Sequence, residues 1–436
     1  MSRLKLFPHT TKIIHRKLTL NGLDLSTLAD KFGTPLYIYD RETLDININI
    51  YREELKRSYA GEFDLTYAGK AFLCLALAEW VNQQGISLDC TGLGELTLAK
   101  AAGMKKMKIV FHGVNKSRAD LEMGLSSAGV IVVDNLDELN QIVRLSQTRE
   151  IPDLWFRYQP GQKVKTHAYT QTGYHGSKFG LCEREIILAA KVCKENGLNL
   201  RGLHFHLGSQ FSDLRPLGNA VDAALDLAIE IQPQEGWVLS PGGGWGVPYH
   251  EDEIPYPPIQ EYVEFLSNKV EDFCQKNHLP LPKLQPEPGR SIVAKAGIAL
   301  YRVGAIKKNH GKTWVLVDGG LADNPRPAIY GTRYSALPVR DPERSPVTSV
   351  NIAGPYCESG DVMITSLPMP EMRVGDVVAV PVSGAYQLSM ASNYNGARRP
   401  AVLWVEKGHH QMIRERESPE DLFRLDRRLV KPKGRE

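Results

Sequence analysis

Eight short β-like runs, most of them separated by helix-length segments, constrain this chain more than any other feature. They are FDLTY (63–67), ISLDC (86–90), MKIVFH (107–112), VIVVD (130–134), LWFRY (154–158), LRGLHFH (200–206), WVLS (237–240) and KLQPEP (283–288). Helical stretches such as Leu93–Ala102, Leu136–Ser146, Glu183–Asn196 and Pro258–Lys276 lie between them. Parallel neighbours need long crossovers, so this alternation predicts a parallel sheet. Eight units predict a closed, TIM-like (β/α)8 barrel, whose functional groups gather at the C-terminal strand ends. After about residue 295 the texture changes. IALYRVGAIKK, TWVLVDGG, VTSVNIAGPYC, DVVAVPVSGAY and AVLWVEKG are β-rich runs broken by turns. They predict a second, all-β domain of sandwich or barrel type. The expected division is residues 1–40 as an N-terminal segment that joins the β-domain through PLYIYD, 41–295 as the barrel, and 296–436 as the C-terminal β-domain. Residues 247–258 read as a barrel rim loop.

The balance of the chain narrows the function classes. Its 436 residues are 42% hydrophobic and 24% charged, enough for a large core. A net charge of +3 is too small to argue for a nucleic acid or a membrane, and neither is expected as a partner. The one basic cluster of note, the tail RRLVKPKGRE, reads as a frayed end. No apolar run has transmembrane length, and the first residues carry no apolar signal core. Six scattered cysteines without paired short spacing predict no disulfide framework and no zinc site, and a reducing, cytoplasmic setting.

The polar and glycine-rich residues fall at the strand ends. Lys70 follows the first strand, Asp89 ends the second, His112 the third and Arg157 the fifth. HFHLGSQ (204–210), SPGGGWG (240–246) and EPGR (287–290) close the last three. A lysine at a strand end is most often one that snorkels to water. Between Ala68, Gly69 and Ala71, a buried Lys70 would instead be a nucleophile for a carbonyl, fitting an aldehyde cofactor held as a Schiff base. Gly242, Gly243 and Gly244 read either as a flexible loop or as a phosphate cradle after the seventh strand, to which Ser209 adds a hydroxyl. Glu287 reads either as a loop carboxylate or, set by its two prolines, as a partner for a ring nitrogen. His206 fits a core histidine, a metal ligand or a stacking face, and stacking is the best functional choice. An amine, a phosphate cradle, a ring partner and a stacking face together predict a pocket for pyridoxal 5'-phosphate.

Seven stretches in order, YAGKA, HFHLGSQ, GGGWGVPY, EPGR, DNPRPAIYG, CESGD and GAYQLSMASNYNG, span residues 67–396. With them the chain resembles the fold-type III pyridoxal-phosphate decarboxylases, most closely the diaminopimelate decarboxylase family. The resemblance implies an alanine-racemase-type barrel with a β-domain, and a homodimer with shared active sites. It implies Lys70 as the Schiff-base lysine, His206 on the ring face, and Ser209 with Gly242, Gly243 and Gly244 on the phosphate. Glu287 would sit at the pyridine nitrogen and Tyr386 near cofactor and substrate. Arg290, Arg326 and Tyr330 would contact an amino-acid substrate. Cys357, as proton donor, and Glu358 would come from the partner subunit. Diaminopimelate has a distal amino-acid group, so its site needs both a cation and an anion. Arg290 and Arg326 can hold the carboxylate and Glu358 the ammonium. Trp245 and Gln387 are bulkier than this pattern leads one to expect, and bear on pocket shape. Other readings are a decarboxylase for ornithine, lysine, arginine or a carrier-bound amino acid, a racemase, or a non-catalytic cofactor carrier.

Overall fold

The structure, a computed structural model, describes residues 2–234 and 236–429. The last seven residues of the basic tail lie outside the described ones. All eight expected strands form: β1 (Thr66–Ala68), β2 (Ser87–Thr91), β3 (Ile109–His112), β4 (Val130–Val133), β5 (Asp153–Arg157), β6 (Leu200–His204), β7 (Val238–Ser240) and β8 (Lys283–Leu284). They pair in parallel in chain order, with Ala68 opposite Asp89, Thr91 opposite His112, and His204 opposite both Arg157 and Ser240. Backbone bonds from Asp64 N–H to Leu284 O (3.1 Å), Thr66 N–H to Pro286 O (3.0 Å) and Ala68 N–H to Pro288 O (3.1 Å) join first to last and close the barrel.

The seam explains why the eighth run ends early as a regular strand. Pro286 and Pro288 accept from β1 but have no N–H to return. Gln285 and Glu287 donate the other way, to Leu239 O and Gly242 O (3.0 and 2.8 Å). Glu287 is therefore fixed through its own N–H and through the carbonyls of both flanking prolines.

Local chemistry sets the helices. Ser117 and Asp120 form a reciprocal cap on Arg118–Ser127, and Asn135 accepts from Glu138 N–H to start Leu136–Ser146. In that helix Leu139 and Ile142 are buried while Arg144 is not. Val110, Val130, Val132, Trp155 and Val238 form one packed cluster of barrel side chains. Each contributes roughly 1.5–3 kcal/mol by leaving water. The helix after Lys70 begins only at Leu75, and Gly69–Ala71 is a single 3-10 turn. The Ala71 carbonyl is engaged elsewhere: it accepts from Tyr386 N–H (2.8 Å) and Ser389 Oγ (2.7 Å), so it cannot cap a helix turn.

The chain divides into two compact units. One comprises residues up to Thr10, Asp40–Gly297 and Pro381–Ser389; the other comprises Thr11–Tyr39, Ile298–Val380 and the chain from Met390 onward. The second unit carries a nine-stranded sheet in which Leu36–Asp40 joins Gly297–Asn309, Lys312–Val317, Thr348–Ala353, Val377–Val380 and Ala401–Glu406. A separate three-stranded sheet spans Thr11–Asp24. No helix among the described residues is long and apolar enough to cross a membrane, and all six cysteines are free thiols.

Candidate active site

The C-terminal ends of the barrel strands hold a cluster of ionisable side chains. Glu287 is 5% exposed. Its Oε2 lies 3.2 Å from His204 Nε2 and its Oε1 lies 3.3 Å from His112 Nε2. His204 ends β6 and His112 ends β3, both buried, with their rings edge to face at 4.8 Å. Burial opposes the Glu287 charge, yet the two imidazoles hold its carboxyl well below the usual range. Burial also lowers His204 to about 4, so that ring is neutral near neutral pH. Asp89, 3.9 Å from His112 Nε2, is pushed up by burial, with His112 and Lys70 opposing. Two buried carboxyls thus flank one imidazole with opposite tendencies.

Lys70 sits on the 3-10 turn after β1. The sequence led to a buried amine; the structure exposes it at the barrel mouth while Ala68, Gly69 and Ala71 beside it are buried. Its charge nevertheless acts on His206, Asp89 and Glu95. The turn needs glycine at 69, because a Cβ there would lie 2.7 Å from the Asp89 carbonyl oxygen. His206, two residues beyond the end of β6, is half-buried. Its Nδ1 accepts from Gly243 N–H at 3.3 Å, which leaves the proton on Nε2. Burial, and then Lys70, lower His206 well below its ordinary value.

The glycine loop lies against both neighbours. A Cβ at Gly243 would collide with the Glu287 carbonyl oxygen and one at Gly244 with the Gly208 carbonyl oxygen. Gly242 and Gly243 N–H make only long bonds, 3.4 and 3.3 Å. Ser209 Oγ accepts from Arg290 Nη2 at 2.9 Å. Arg290, buried, also donates to Tyr249 OH, and its guanidinium lies 4.6 Å from the Tyr386 ring centroid. Tyr386 adopts a left-handed backbone (φ 58°), a strained choice for a non-glycine residue. Trp245 packs on Tyr262 (4.9 Å) and Phe211 (6.1 Å) within the core, and Gln387 is fully buried.

The barrel unit therefore brings together Lys70, His206, Ser209, Gly242, Gly243, Gly244, Glu287, Arg290 and Tyr386. Arg326, Tyr330, Cys357 and Glu358 belong to the other unit. Arg326 is buried and donates to Tyr334 OH (3.1 Å) and Thr332 Oγ1 (3.3 Å), with Tyr330 below its guanidinium at 5.3 Å. Cys357 and Glu358 are exposed. Their loop is braced by buried Asp361, which accepts from Leu321 N–H (2.7 Å) and Tyr356 N–H (2.9 Å), and by Asn395, which accepts from Cys357 N–H (2.9 Å).

Several groups had no assigned role in the sequence. His204 stood in a quoted motif, but only barrel closure sets it against Glu287. Glu95 accepts from Thr91 N–H (2.6 Å); burial and Asp89 push it up to about 7. Buried Lys116 pairs with Glu138 at 2.7 Å. A lysine after a strand was the available signal there, since Lys70 was found by it.

The donor set suits a planar aromatic ring bearing a basic nitrogen and an anionic arm. Oε1 of Glu287 is buried without an aligned donor, so it can accept from a ring N–H. The loop that cannot carry a Cβ offers backbone to an anion. His112, His204 and Glu287 also lie within metal-ligand distance of one another.

Residues 47–294 match the family model described as "Pyridoxal-dependent decarboxylase, pyridoxal binding domain". The diaminopimelate decarboxylase of Halalkalibacterium halodurans is 37% identical, covering 98% of this chain and 99% of that one. That of Bacillus subtilis is 38% identical, covering 94% and 95%. The crystal structure of diaminopimelate decarboxylase from M. jannaschii in complex with L-lysine superposes with a TM-score of 0.89 at 33% identity, over 97% of this chain and 98% of that one. A lysine/ornithine decarboxylase from Vibrio vulnificus shares the fold, with a TM-score of 0.73 at 22% identity, over 88% and 97%. By sequence and by fold, this chain belongs to the pyridoxal-dependent decarboxylases, and among them to the diaminopimelate decarboxylase family.

Proposed function

We propose that this chain uses pyridoxal 5'-phosphate to decarboxylate meso-2,6-diaminopimelate, releasing CO2 and L-lysine. The observation that carries the reading is the meeting, at one barrel rim, of an amine, a glycine loop and a buried carboxylate with one oxygen lacking an aligned donor. Lys70 is the amine that anchors the cofactor's aldehyde. Ser209 with Gly242, Gly243 and Gly244 holds the phosphate, and His206 covers a ring face. Glu287, kept ionised by its imidazole neighbours, holds a proton on the ring nitrogen. When bound, pyridoxal phosphate supplies a sink for the electron pair that departing CO2 leaves behind.

The remaining residues select and orient the amino acid. Arg290 and Arg326 hold a carboxylate, the planar fork suiting two oxygens at once. Tyr330 and Tyr386 border those arginines. Glu358 pairs with the distal ammonium, and Cys357 delivers a proton to the carbon that lost CO2. Both come from the partner subunit, which makes the working form a homodimer with shared sites. The exposure of Cys357 and Glu358 within a single chain supports this assignment.

The decisive experiment incubates the purified chain with pyridoxal phosphate and meso-diaminopimelate, expecting CO2 and L-lysine in equal amounts. Preference for ornithine, lysine or arginine would overturn the substrate; racemisation without CO2 would overturn the reaction. Mixing Lys70→Ala with Cys357→Ala chains should restore part of the activity, and no recovery would sink the shared site.

A further inference from the structure

We propose that His204 is a positioning residue that grips Oε2 of Glu287, with the His112 imidazole beside Oε1, fixing the charge and plane of the carboxylate so that Oε1 remains the acceptor for a ring N–H. This rests on the reading that Glu287 faces a pyridine nitrogen.

The three side chains come from β3, from β6 and from the segment after β8, so only the closed barrel assembles them. The proton on His204 can be placed. Its Nδ1 is buried with no hydrogen-bond partner, whereas its Nε2 lies 3.2 Å from Glu287 Oε2. A neutral imidazole carries one N–H, which goes where an acceptor is. His204 therefore donates from Nε2 and occupies Oε2. His112 Nε2 lies 3.3 Å from Oε1 and 3.9 Å from Asp89 Oδ1 and is aligned with neither, which leaves an Oε1 lone pair without a donor. The edge-to-face contact of the two rings, 69° apart, restrains both.

The grip answers a physical need. A lone carboxylate this deeply buried would neutralise, and a neutral acid would offer a proton where an acceptor is wanted. Arg157, Asp89 and His206 also act on Glu287 and set the background charge. A phenylalanine at 204 would keep the bulk and leave Oε2 without its donor.

The test reads the carboxylate directly, in cofactor-free protein, by infrared difference spectra assigned with Glu287→Gln. Wild type should stay ionised down to about pH 5, and His204→Phe should raise the carboxyl's titration midpoint by at least about one unit. Cofactor affinity should fall at least about tenfold in His204→Phe and return toward wild type in His204→Gln, which keeps an N–H. An unchanged carboxyl signal in His204→Phe would overturn the proposal. Should that variant not fold, 15N-histidine resonances of the wild type decide: a neutral Nε2–H tautomer at His204 upholds the grip, and an Nδ1–H tautomer sinks it. A wild type with the gripped carboxylate that binds no pyridoxal phosphate would sink the functional reading and leave the grip standing.

Discussion

The barrel mouth and the Cys357–Glu358 loop solve opposite problems. At the mouth, polar groups are held by neighbours from the same unit: Glu287 by His204, His206 by Gly243, Arg290 by Ser209 and Tyr249. The loop is braced from beneath by Asp361 and Asn395, while its own side chains face outward, exposed. Burial at the mouth fixes charge states in advance, which is what electrostatic preorganisation requires. The loop instead displays a thiol and a carboxylate on a rigid base, as suits groups that complete a site rather than build one. Lys70 is the exception in the barrel: exposed, yet set among groups that feel its charge.

Lys70→Ala tests that exception most severely. Activity should fall by about a thousandfold or more, with the visible absorption of bound pyridoxal phosphate lost. Stability should hold, because the side chain is exposed; persistence of the absorption band after dialysis would assign the anchor to another lysine. Next in size, Gly243→Ala forces a methyl onto the Glu287 carbonyl. Cofactor affinity, measured by titration, should drop by about a hundredfold.

Arg326→Ala moves the contest to the other unit. Stranding one partner of a buried charge pair costs about 2–5 kcal/mol, so KM for diaminopimelate should rise at least about thirtyfold. An unchanged KM would remove Arg326 from the substrate site. Cys357→Ser probes the loop itself. Here kcat should fall about tenfold to a hundredfold while stability stays within about 0.5 kcal/mol, because the residue is exposed. A thiol reagent should find Cys182 and Cys357 in the native chain and spare the four buried cysteines.

A further test concerns pH and the second unit's core. Asp323 accepts from Tyr301 OH (2.6 Å), Tyr37 OH (3.0 Å) and Gly320 N–H (2.9 Å), and burial lifts its carboxyl from 3.8 to about 6. The folded state then binds more protons than the unfolded one between these values. Stability from this residue is full below about pH 4 and declines by about 3 kcal/mol by pH 6 and above. His204 has the opposite sign: lowered to about 4, it destabilises the barrel as pH falls from about 6.5. Hydrogen exchange read separately over the two units should show Asp323→Asn flattening its own unit's slope only. A matching change in the barrel would break the contrast.

The barrel was legible because its evidence is local. Runs such as VIVVD and MKIVFH are apolar for long enough to declare buried parallel strands. Lys70, His206 and Glu287 were legible for the same reason, each lying just past such a run. The strand His409–Arg414 had no such signal, since HHQMIR has little apolar alternation to read. The helix start at Leu75 has no local signal, because the Ala71 carbonyl is claimed by residues more than three hundred positions away.

What the sequence determined by itself was the set of chemical groups and their places at strand ends, since periodicity and turn chemistry act over a few residues. What only the tertiary structure decided was which groups meet and in which charge state. His204 becomes a donor to Glu287 and Asp89 a reluctant acid only once the seam between Thr66 and Pro286 closes. Proximity across a closed barrel and the loss of water that accompanies it are properties of the assembled sheet, and no single run of residues contains them.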